Sequence, residues 1–207
     1  MIYKVRYYGD PVLRRRAQPV TVFDDRLEQL AKDMIETMYE ANGVGLAGPQ
    51  IGLSERIFVA LELGEQEADE EADGKTDGEV LTGAEKRERW GVIAEHVMVN
   101  PEIVARKDKQ YGTDGCLSLP GLTVEEMERD LHVHVRFQDV HGKRLERDAK
   151  GHFAHVIQHE LDHLDGVLFF DNLPETARRE FLETHRQELA GFQREAKSYL
   201  KELKRAG

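Results

Sequence analysis

The sequence HVIQHELDHLDG, at residues 155–166, is the most informative stretch of this chain for its architecture. Apolar residues recur at helical spacing through it and just before it, which predicts an amphipathic helix over residues 149–165 that ends at Gly166. The apolar face of that helix consists of Ala154, Ile157, Leu161 and Leu164. A helix with one apolar face must bury that face against another layer of the protein. We therefore expect strands beneath this helix.

The polar residues of the same helix form a pattern typical of a metal site. Side chains four positions apart lie above one another on a helix, so His159 and His163 can bind a single ion. Glu160 is one position further on, about 100° around the helix axis. It therefore lies beside the ion rather than binding it, where it can accept a proton from a water molecule. The structural alternative is a solvated helix face on which histidine and glutamate occur by chance.

A catalytic metal needs a third protein ligand and one open position. The single cysteine of the chain, Cys116, follows Gly115 in the stretch DGCLS, residues 114–118. An unpaired cysteine is most often a small buried side chain, but beside a helix that offers two histidines it becomes the candidate third ligand. His152 and His155 extend the histidine stripe and offer an alternative ligand set without the cysteine. We prefer to place His155 in a pocket wall and His152 in solvent near the helix start.

The remaining patterns predict one α+β domain over residues 1–207. An amphipathic helix is expected at residues 24–41, followed by a glycine-rich loop, GVGLAGPQIG, at residues 43–52. Strand patterns occur at residues 56–61, 95–104 and 131–137. A third, long helix is expected from about residue 174 to about residue 205. The predicted architecture is a central metal-binding helix packed against antiparallel β-sheets, with a C-terminal helix.

Composition excludes several classes of protein. The formal net charge is −11, which argues against a nucleic-acid-binding protein that relies on overall charge, and no sequence-specific nucleic-acid partner is expected. No apolar run is long enough for a membrane span, and the start of the sequence is unlike a secretion signal. One cysteine cannot form an internal disulfide, so we expect a cytoplasmic protein. We also expect a monomer.

Charge is unevenly distributed along the chain. Residues 62–89 contain 11 acidic and 4 basic residues and few large apolar side chains, which predicts an acidic surface insertion that contributes little to the core. Residues 194–207 contain 5 basic and 2 acidic residues. Within them Lys197, Lys201 and Lys204 recur at helical spacing and form one positive stripe, which is either a solvated face or a docking surface.

Three motifs taken together resemble those of the peptide deformylase family. The chain carries GVGLAGPQ at residues 43–50, DGCLS at residues 114–118 and QHELDHLDG at residues 158–166. The family carries GxGLAAPQ, EGCLS and QHExDHLxG in the same order, and the resemblance spans roughly residues 1–173. Two positions depart from the family pattern. Gly48 replaces the second alanine of the first motif, and Asp114 replaces the glutamate before Gly-Cys.

The resemblance implies hydrolysis of the N-formyl group from the formyl-methionine of nascent polypeptides, with release of formate. It implies one divalent metal ion per chain, held by Cys116, His159 and His163. Fe²⁺ is the expected native ion, with Zn²⁺, Ni²⁺ or Co²⁺ as replacements. Protons would be carried by Glu160. The oxyanion would be stabilised by the Gln50 side chain and the Leu117 backbone N–H.

The resemblance also implies how substrate and partners are bound. Backbone groups around Val44 and Gly45 would bind the peptide like an added strand. The candidates for the methionine pocket are Val44, His155 and Val156. Asp114 would brace the site by pairing with Arg129. A transient contact with the ribosome is expected through the C-terminal helix.

Two other functions fit part of the pattern. A zinc endopeptidase also uses HExxH, but it takes its third ligand from a downstream carboxylate or histidine and makes no use of a cysteine. A non-enzymatic module that docks to the ribosome would keep the fold but would need neither Glu160 nor Gln50. The sequence therefore favours the hydrolase.

Overall fold

A computed structural model describes residues 1–64 and 81–206 of the chain. Its centre is a five-stranded antiparallel sheet whose strands neighbour one another in chain order. The strands are β1 (Gly45–Ala47), β2 (Ile57–Leu63), β3 (Val92–Gly115), β4 (Thr123–Gln138) and β5 (Arg144–Lys150). The predicted α+β class is confirmed, with one sheet in which β3 and β4 form a long hairpin.

Strand β2 is buried on both faces and joins two layers of core. Successive side chains of a strand point to opposite faces of the sheet. Phe58 and Ala60 pack with helix α3 (Gly151–Leu164), whereas Ile57, Val59 and Leu61 pack with helix α1 (Asp25–Glu40). The two helices therefore lie on opposite faces of the sheet. Both were predicted from apolar spacing to within two residues at each end.

The glycine-rich segment holds more regular structure than the predicted loop. It contains β1, which pairs Gly45 with Ala60 of β2, and a 3₁₀ turn at Gly48–Ile51. Gly52 ends that turn with a φ of 87°, a left-handed conformation that favours glycine. The prediction of a plain loop was wrong here because β1 is specified by pairing with a distant strand rather than by a local pattern.

The acidic insertion is narrower than the predicted range, residues 62–89. Leu63 still belongs to β2, and Gly83–Arg89 form a short helix, α2. Thr82 caps α2 in a capping box with Glu85. Lys86 is buried and donates a 2.6 Å hydrogen bond to the carbonyl of Tyr39 on α1. The C-terminal part of the insertion is therefore attached to the core, and the rest, residues 65–80, lies outside the described residues.

The C-terminal helix is divided in two. Helix α4 (Glu175–Thr184) ends at His185, and helix α5 (Arg186–Ala206) follows directly. A single helix from residue 174 was the prediction, and the interruption corrects it. None of the helices in the described part of the chain has the length and apolar character needed to cross a membrane.

Helix α5 packs on the segment at residues 4–8, which we call the N-terminal segment. Ala196 of α5 is buried, and the ring of Phe192 lies 5.9 Å from that of Tyr7. Further along, the Tyr199 ring is covered by two cations, with Lys4 Nζ at 4.1 Å and Arg6 Cζ at 4.6 Å from its centroid. Contacts of this kind stabilise the helix well beyond Arg194, within its lysine-rich part.

Candidate metal centre

Three donor atoms meet where α3 passes the end of β3. The ligand atoms of Cys116, His159 and His163 all lie within 4.8 Å of one another. The Cys116 Sγ is 3.1 Å from His163 Nε2, which is 3.2 Å from His159 Nε2. The two histidines are one helical turn apart, and the cysteine is the first residue after β3. One thiolate and two imidazoles of this kind suit a divalent ion with an open fourth position.

Both histidines are buried, and their electrostatic surroundings differ. Burial alone would lower the pKa of His159, but the neighbouring Asp114 carboxylate outweighs it and raises that pKa well above its usual range. Burial, with the charge of His159, holds the pKa of His163 well below its usual range. His163 is therefore neutral, with a lone pair free for an ion. An ion that binds His159 Nε2 must displace a proton, which couples binding to pH.

Asp114 is the organising side chain behind the three donors. Its Oδ1 lies 2.6 Å from His159 Nδ1, and its Oδ2 accepts from Arg129 at 2.7 Å. Oδ2 also lies 3.2 Å from His155 Nε2. Burial by itself would raise the pKa of Asp114, but these three partners, His159 foremost, hold it well below its usual range. Because Nδ1 of His159 is occupied by Asp114, its Nε2 is the atom turned toward the other donors.

The sequence predicted the pairing of Asp114 with Arg129 but missed the other contacts of this network. Arg129 also donates to Asp162 at 2.6 Å, and Asp162 accepts from Asn172 at 2.7 Å. The spacing of two between Asp114 and Cys116 places both side chains on the same face of an extended segment, but it does not identify the histidines that they contact.

Glu160 is buried beside the donors, with no hydrogen-bond partner for its Oε2 in the described part of the chain. Burial raises its pKa to about 7, which is the range suited to a group that both accepts and releases a proton. Gly45 of β1 faces it so closely that a Cβ at that position would lie 2.3 Å from Glu160 Oε1. The glycine therefore makes room for the carboxyl group.

Two further candidate groups border the same space. The Gln50 side chain is fixed at one end, because its Oε1 accepts from the Ala47 N–H at 2.8 Å. Its Nε2 then points to Cys116 Sγ, at 3.5 Å. The Leu117 N–H donates to no atom among the described hydrogen bonds, whereas the next N–H, of Ser118, donates to Cys116 Sγ at 3.3 Å. The Gln50 amide and the Ser118 N–H are thus directed at the sulfur, and the Leu117 N–H lies one position before Ser118 without a described partner.

An open cavity of about 630 Å³ surrounds this site. Among the residues that line it are all four predicted for substrate binding, namely Val44, Gly45, His155 and Val156. Gln50, Asp114, Cys116, Leu117, His159 and Glu160 line it as well, whereas His163 lies behind them. His152 also lines the cavity and is exposed, as predicted for a residue near the helix start. The N-terminal segment contributes Val5 and Tyr7, a wall that no motif predicted.

Comparisons with known proteins point in one direction. A family model described as polypeptide deformylase matches residues 2–179. The peptide deformylase of Thermus thermophilus is 48% identical over 203 residues, 98% of each chain. That of Thermotoga neapolitana is 41% identical over 178 residues, 86% of this chain and 90% of that protein. Among solved structures, the crystal structure of the Thermus thermophilus peptide deformylase matches with a TM-score of 0.78 and 46% identity, covering 94% of this chain and 99% of that one. The Legionella pneumophila enzyme matches with a TM-score of 0.71 and 36% identity, covering 94% and 96%.

Proposed function

The chain belongs to the peptide deformylase family, and from that premise we propose that it is a metal-dependent hydrolase that removes the N-formyl group from the formyl-methionine of nascent polypeptides and releases formate. The observation that carries the proposal is the convergence of Cys116, His159 and His163 beside the buried carboxyl group of Glu160. A zinc endopeptidase would take its third ligand from a downstream carboxylate or histidine, and the site instead offers a thiolate.

The donor set fits one divalent ion. Two imidazole nitrogens and a thiolate suit Fe²⁺, Zn²⁺, Ni²⁺ and Co²⁺, and family membership supports Fe²⁺ as the native ion. Such an ion supplies Lewis acidity that lowers the pKa of water at the open position. Asp114 supports the ligand set by fixing the orientation of His159.

Glu160 is the proposed proton carrier. It accepts a proton from the water whose oxygen attacks the formyl carbon. When the bond between that carbon and the nitrogen breaks, Glu160 delivers the proton to the departing amine, and formate carries the new C–O bond. A pKa of about 7 allows both transfers near neutral pH.

Gln50 and Leu117 are the proposed oxyanion donors. The carbonyl oxygen of the formyl group becomes negative when water adds to the carbon. The Nε2 of Gln50 lies 3.5 Å from Cys116 Sγ, and the side chain is held there because its Oε1 accepts from the Ala47 N–H. The N–H of Leu117 directly follows the cysteine and makes none of the described hydrogen bonds. Neither donor has to reorganise during the reaction, which is what makes such groups effective.

Strand β1 offers the binding edge for the peptide. Leu61 donates to the Val44 carbonyl at 2.8 Å, so Val44 faces β2. Peptide groups alternate in direction along an antiparallel strand, so those of Gly45 face away from β2 toward the cavity. The peptide backbone would pair there as an added strand. The first side chain would then enter the space bordered by Val44, His155 and Val156.

The experiment that tests the activity compares two substitutions. Glu160→Gln keeps the shape of the side chain and removes its base, so we expect full metal content and a loss of about 10²–10⁴-fold in kcat on formyl-Met-Ala-Ser. Cys116→Ala removes a ligand, so metal content measured by mass spectrometry should fall as well. Glu188→Gln, on the exposed face of α5, is the matched control and should behave as the unmodified protein. A Glu160→Gln protein that arrives without metal would show that Glu160 is itself a ligand.

We also propose that the protein is a cytoplasmic monomer and that it contacts the ribosome through α5. Lys197, Lys201 and Lys204 are exposed on α5 and form a positive stripe. Contact of such lysines with phosphates would weaken steeply as salt rises. Lys201→Glu/Lys204→Glu leaves the Tyr199 contacts in place and should reduce co-sedimentation with ribosomes at low salt. The matched control reverses two exposed lysines elsewhere, Lys32 and Lys143. Equal co-sedimentation of the two double variants would refute the contact.

A further inference from the structure

One charged residue of the stretch HELDH, residues 159–163, has no part in the proposed reaction. Asp162 lies on α3 between the two histidine donors in sequence, and 24% of its side chain is exposed. Its Oδ2 accepts from Arg129 Nη1 at 2.6 Å and from Asn172 Nδ2 at 2.7 Å. Two donors from different parts of the chain therefore meet at one oxygen of Asp162.

Arg129 joins the sheet to the helix through this oxygen. The arginine belongs to β4 and is buried. Its Nε and Nη2 donate to Asp114 Oδ2 on β3, at 3.2 and 2.7 Å, and its Nη1 donates to Asp162 on α3. A guanidinium is planar and carries its N–H groups in a fixed fork, so partners on two sides fix the plane of the group. Arg129 is thus held between two carboxylates that belong to different elements.

Two polar contacts join the β3–β4 hairpin to α3 at the metal centre. The first links Asp114 Oδ1 to His159 Nδ1 at 2.6 Å, and the second links Arg129 to Asp162. A pair of contacts resists rotation of the helix about either one of them. The donor atoms are divided between the same two elements, because the cysteine follows β3 whereas both histidines lie on α3. The second contact therefore acts on the distance and angle at which the thiolate and the imidazoles converge.

A third element, the 3₁₀ turn at Phe169–Asn172, contacts the same region. Phe169 is buried, and its ring is stacked on that of His159 with 6.4 Å between the centroids. At the end of the turn Asn172 donates to Asp162. Asp162 therefore lies where the sheet, the helix and this turn meet.

We propose that Asp162 is a positioning residue of the metal centre. By accepting from Arg129 on the helix side, it fixes the orientation of Asp114 and the separation of the cysteine from the two histidines. A site that is held in this way from outside binds its ion more tightly, because the donors need not rearrange. The inference rests on the proposed metal centre and goes beyond it, since Asp162 belongs neither to the donor set nor to the cavity wall.

The test measures the Co²⁺ affinity of the full chain in competition with a chelator, and the visible absorption spectrum of the Co²⁺-loaded protein. Asp162→Ala should weaken binding by about tenfold, the lower end of the range for an outer partner of a metal ligand. Its Co²⁺ absorption bands should also change, because they report the arrangement of the ligands. Asp162→Asn keeps an oxygen that can accept from Arg129, so it should recover most of the affinity.

The matched control is Asp165→Ala. Asp165 directly follows α3 and pairs with a different arginine, Arg56, at 2.7 Å. This change removes the same charge close to the same helix without touching Arg129, so affinity and spectrum should stay as they are in the unmodified protein. Melting temperatures of all the metal-free variants show whether each one folds.

The outcomes separate the two proposals. An affinity of Asp162→Ala within about twofold of that of Asp165→Ala, less than an outer partner contributes, overturns the positioning role and leaves the metal centre standing. Weaker binding with an unchanged spectrum also overturns it. An unmodified protein that binds Co²⁺ no better than Cys116→Ala overturns the metal centre and this inference with it. If Asp162→Ala does not fold, Asp162→Ser and Asp165→Ser provide the same comparison.

Discussion

A single methyl group at Gly45 tests the position of the proposed proton carrier. In Gly45→Ala the new Cβ would lie 2.3 Å from Glu160 Oε1, 2.8 Å from its Cδ and 3.0 Å from its Cγ. Ordinary contact begins at 3.4 Å, so the carboxyl group has to move by about 1 Å. Glu160 is 3% exposed, which leaves little room to rotate away. A misplacement of about 1 Å in a reacting group can reduce the rate by about 10²-fold.

We therefore expect Gly45→Ala to fold, to bind metal as before and to lose about two orders of magnitude in kcat/KM on a formyl-Met peptide. Melting temperature and metal content are measured on the same preparation, because crowding of this kind also destabilises by about 1–3 kcal/mol. The matched control is Gly191→Ala on α5, where a Cβ meets nothing closer than 3.9 Å. That change should leave activity intact and stabilise the helix by roughly 0.5–1 kcal/mol. Full activity in Gly45→Ala would refute the placement of Glu160 against β1 or its role in the reaction.

Three further changes probe the surroundings of the site. Asp114→Asn keeps the shape of the side chain but removes the charge that faces His159 and Arg129. Metal affinity, measured in competition with a chelator, should therefore fall about 10–100-fold. Unchanged affinity would limit Asp114 to a packing role. Replacing residues 65–80 by a glycine-serine linker should leave the melting temperature nearly unchanged. Extending the replacement to residue 88 also removes the buried Lys86 and should lower the free energy of unfolding by about 1–3 kcal/mol. Equal melting curves for the two variants would contradict the contact between Lys86 and Tyr39. Tyr199→Leu removes the ring between Lys4 and Arg6 and should destabilise by about 1–2 kcal/mol in chemical denaturation, while an unchanged midpoint would show that α5 is held by other contacts.

The parts of the molecule that sequence reasoning predicted well are those specified locally. Helices α1 and α3 follow from apolar spacing alone, because residues three and four apart share a face wherever the helix lies. The convergence of His159 with His163 follows from the same geometry. The third ligand, Cys116, was predicted from the chemistry of its thiol and from the motif around it rather than from spacing.

The parts that were missed depend on partners far away in the chain. β1 is three residues long and exists because it pairs with β2. Helix α2 carried a local sign, the Thr82 and Glu85 capping box, but the acidic composition around it obscured that signal. The contacts of Asp114 with His155 and His159 join β3 to α3, and no spacing within either element reveals them.

The packing of α5 on the N-terminal segment has a consequence for the timing of biosynthesis. Arg6 and Tyr8 of that segment donate to the carbonyls of Gln50 and Ser118, at 2.7 and 2.9 Å, on either side of the cavity. The α5 side chains that pack on the N-terminal segment, Phe192 and Tyr199, are synthesised long after that segment. Domains acquire their structure as the chain is made, N-terminal parts first, but this wall gains its contacts with α5 only after residues 186–206 have been synthesised. A chain shortened to end before Arg186 would therefore keep the three metal donors but lose the helix that packs on Tyr7, one of the residues in the cavity wall.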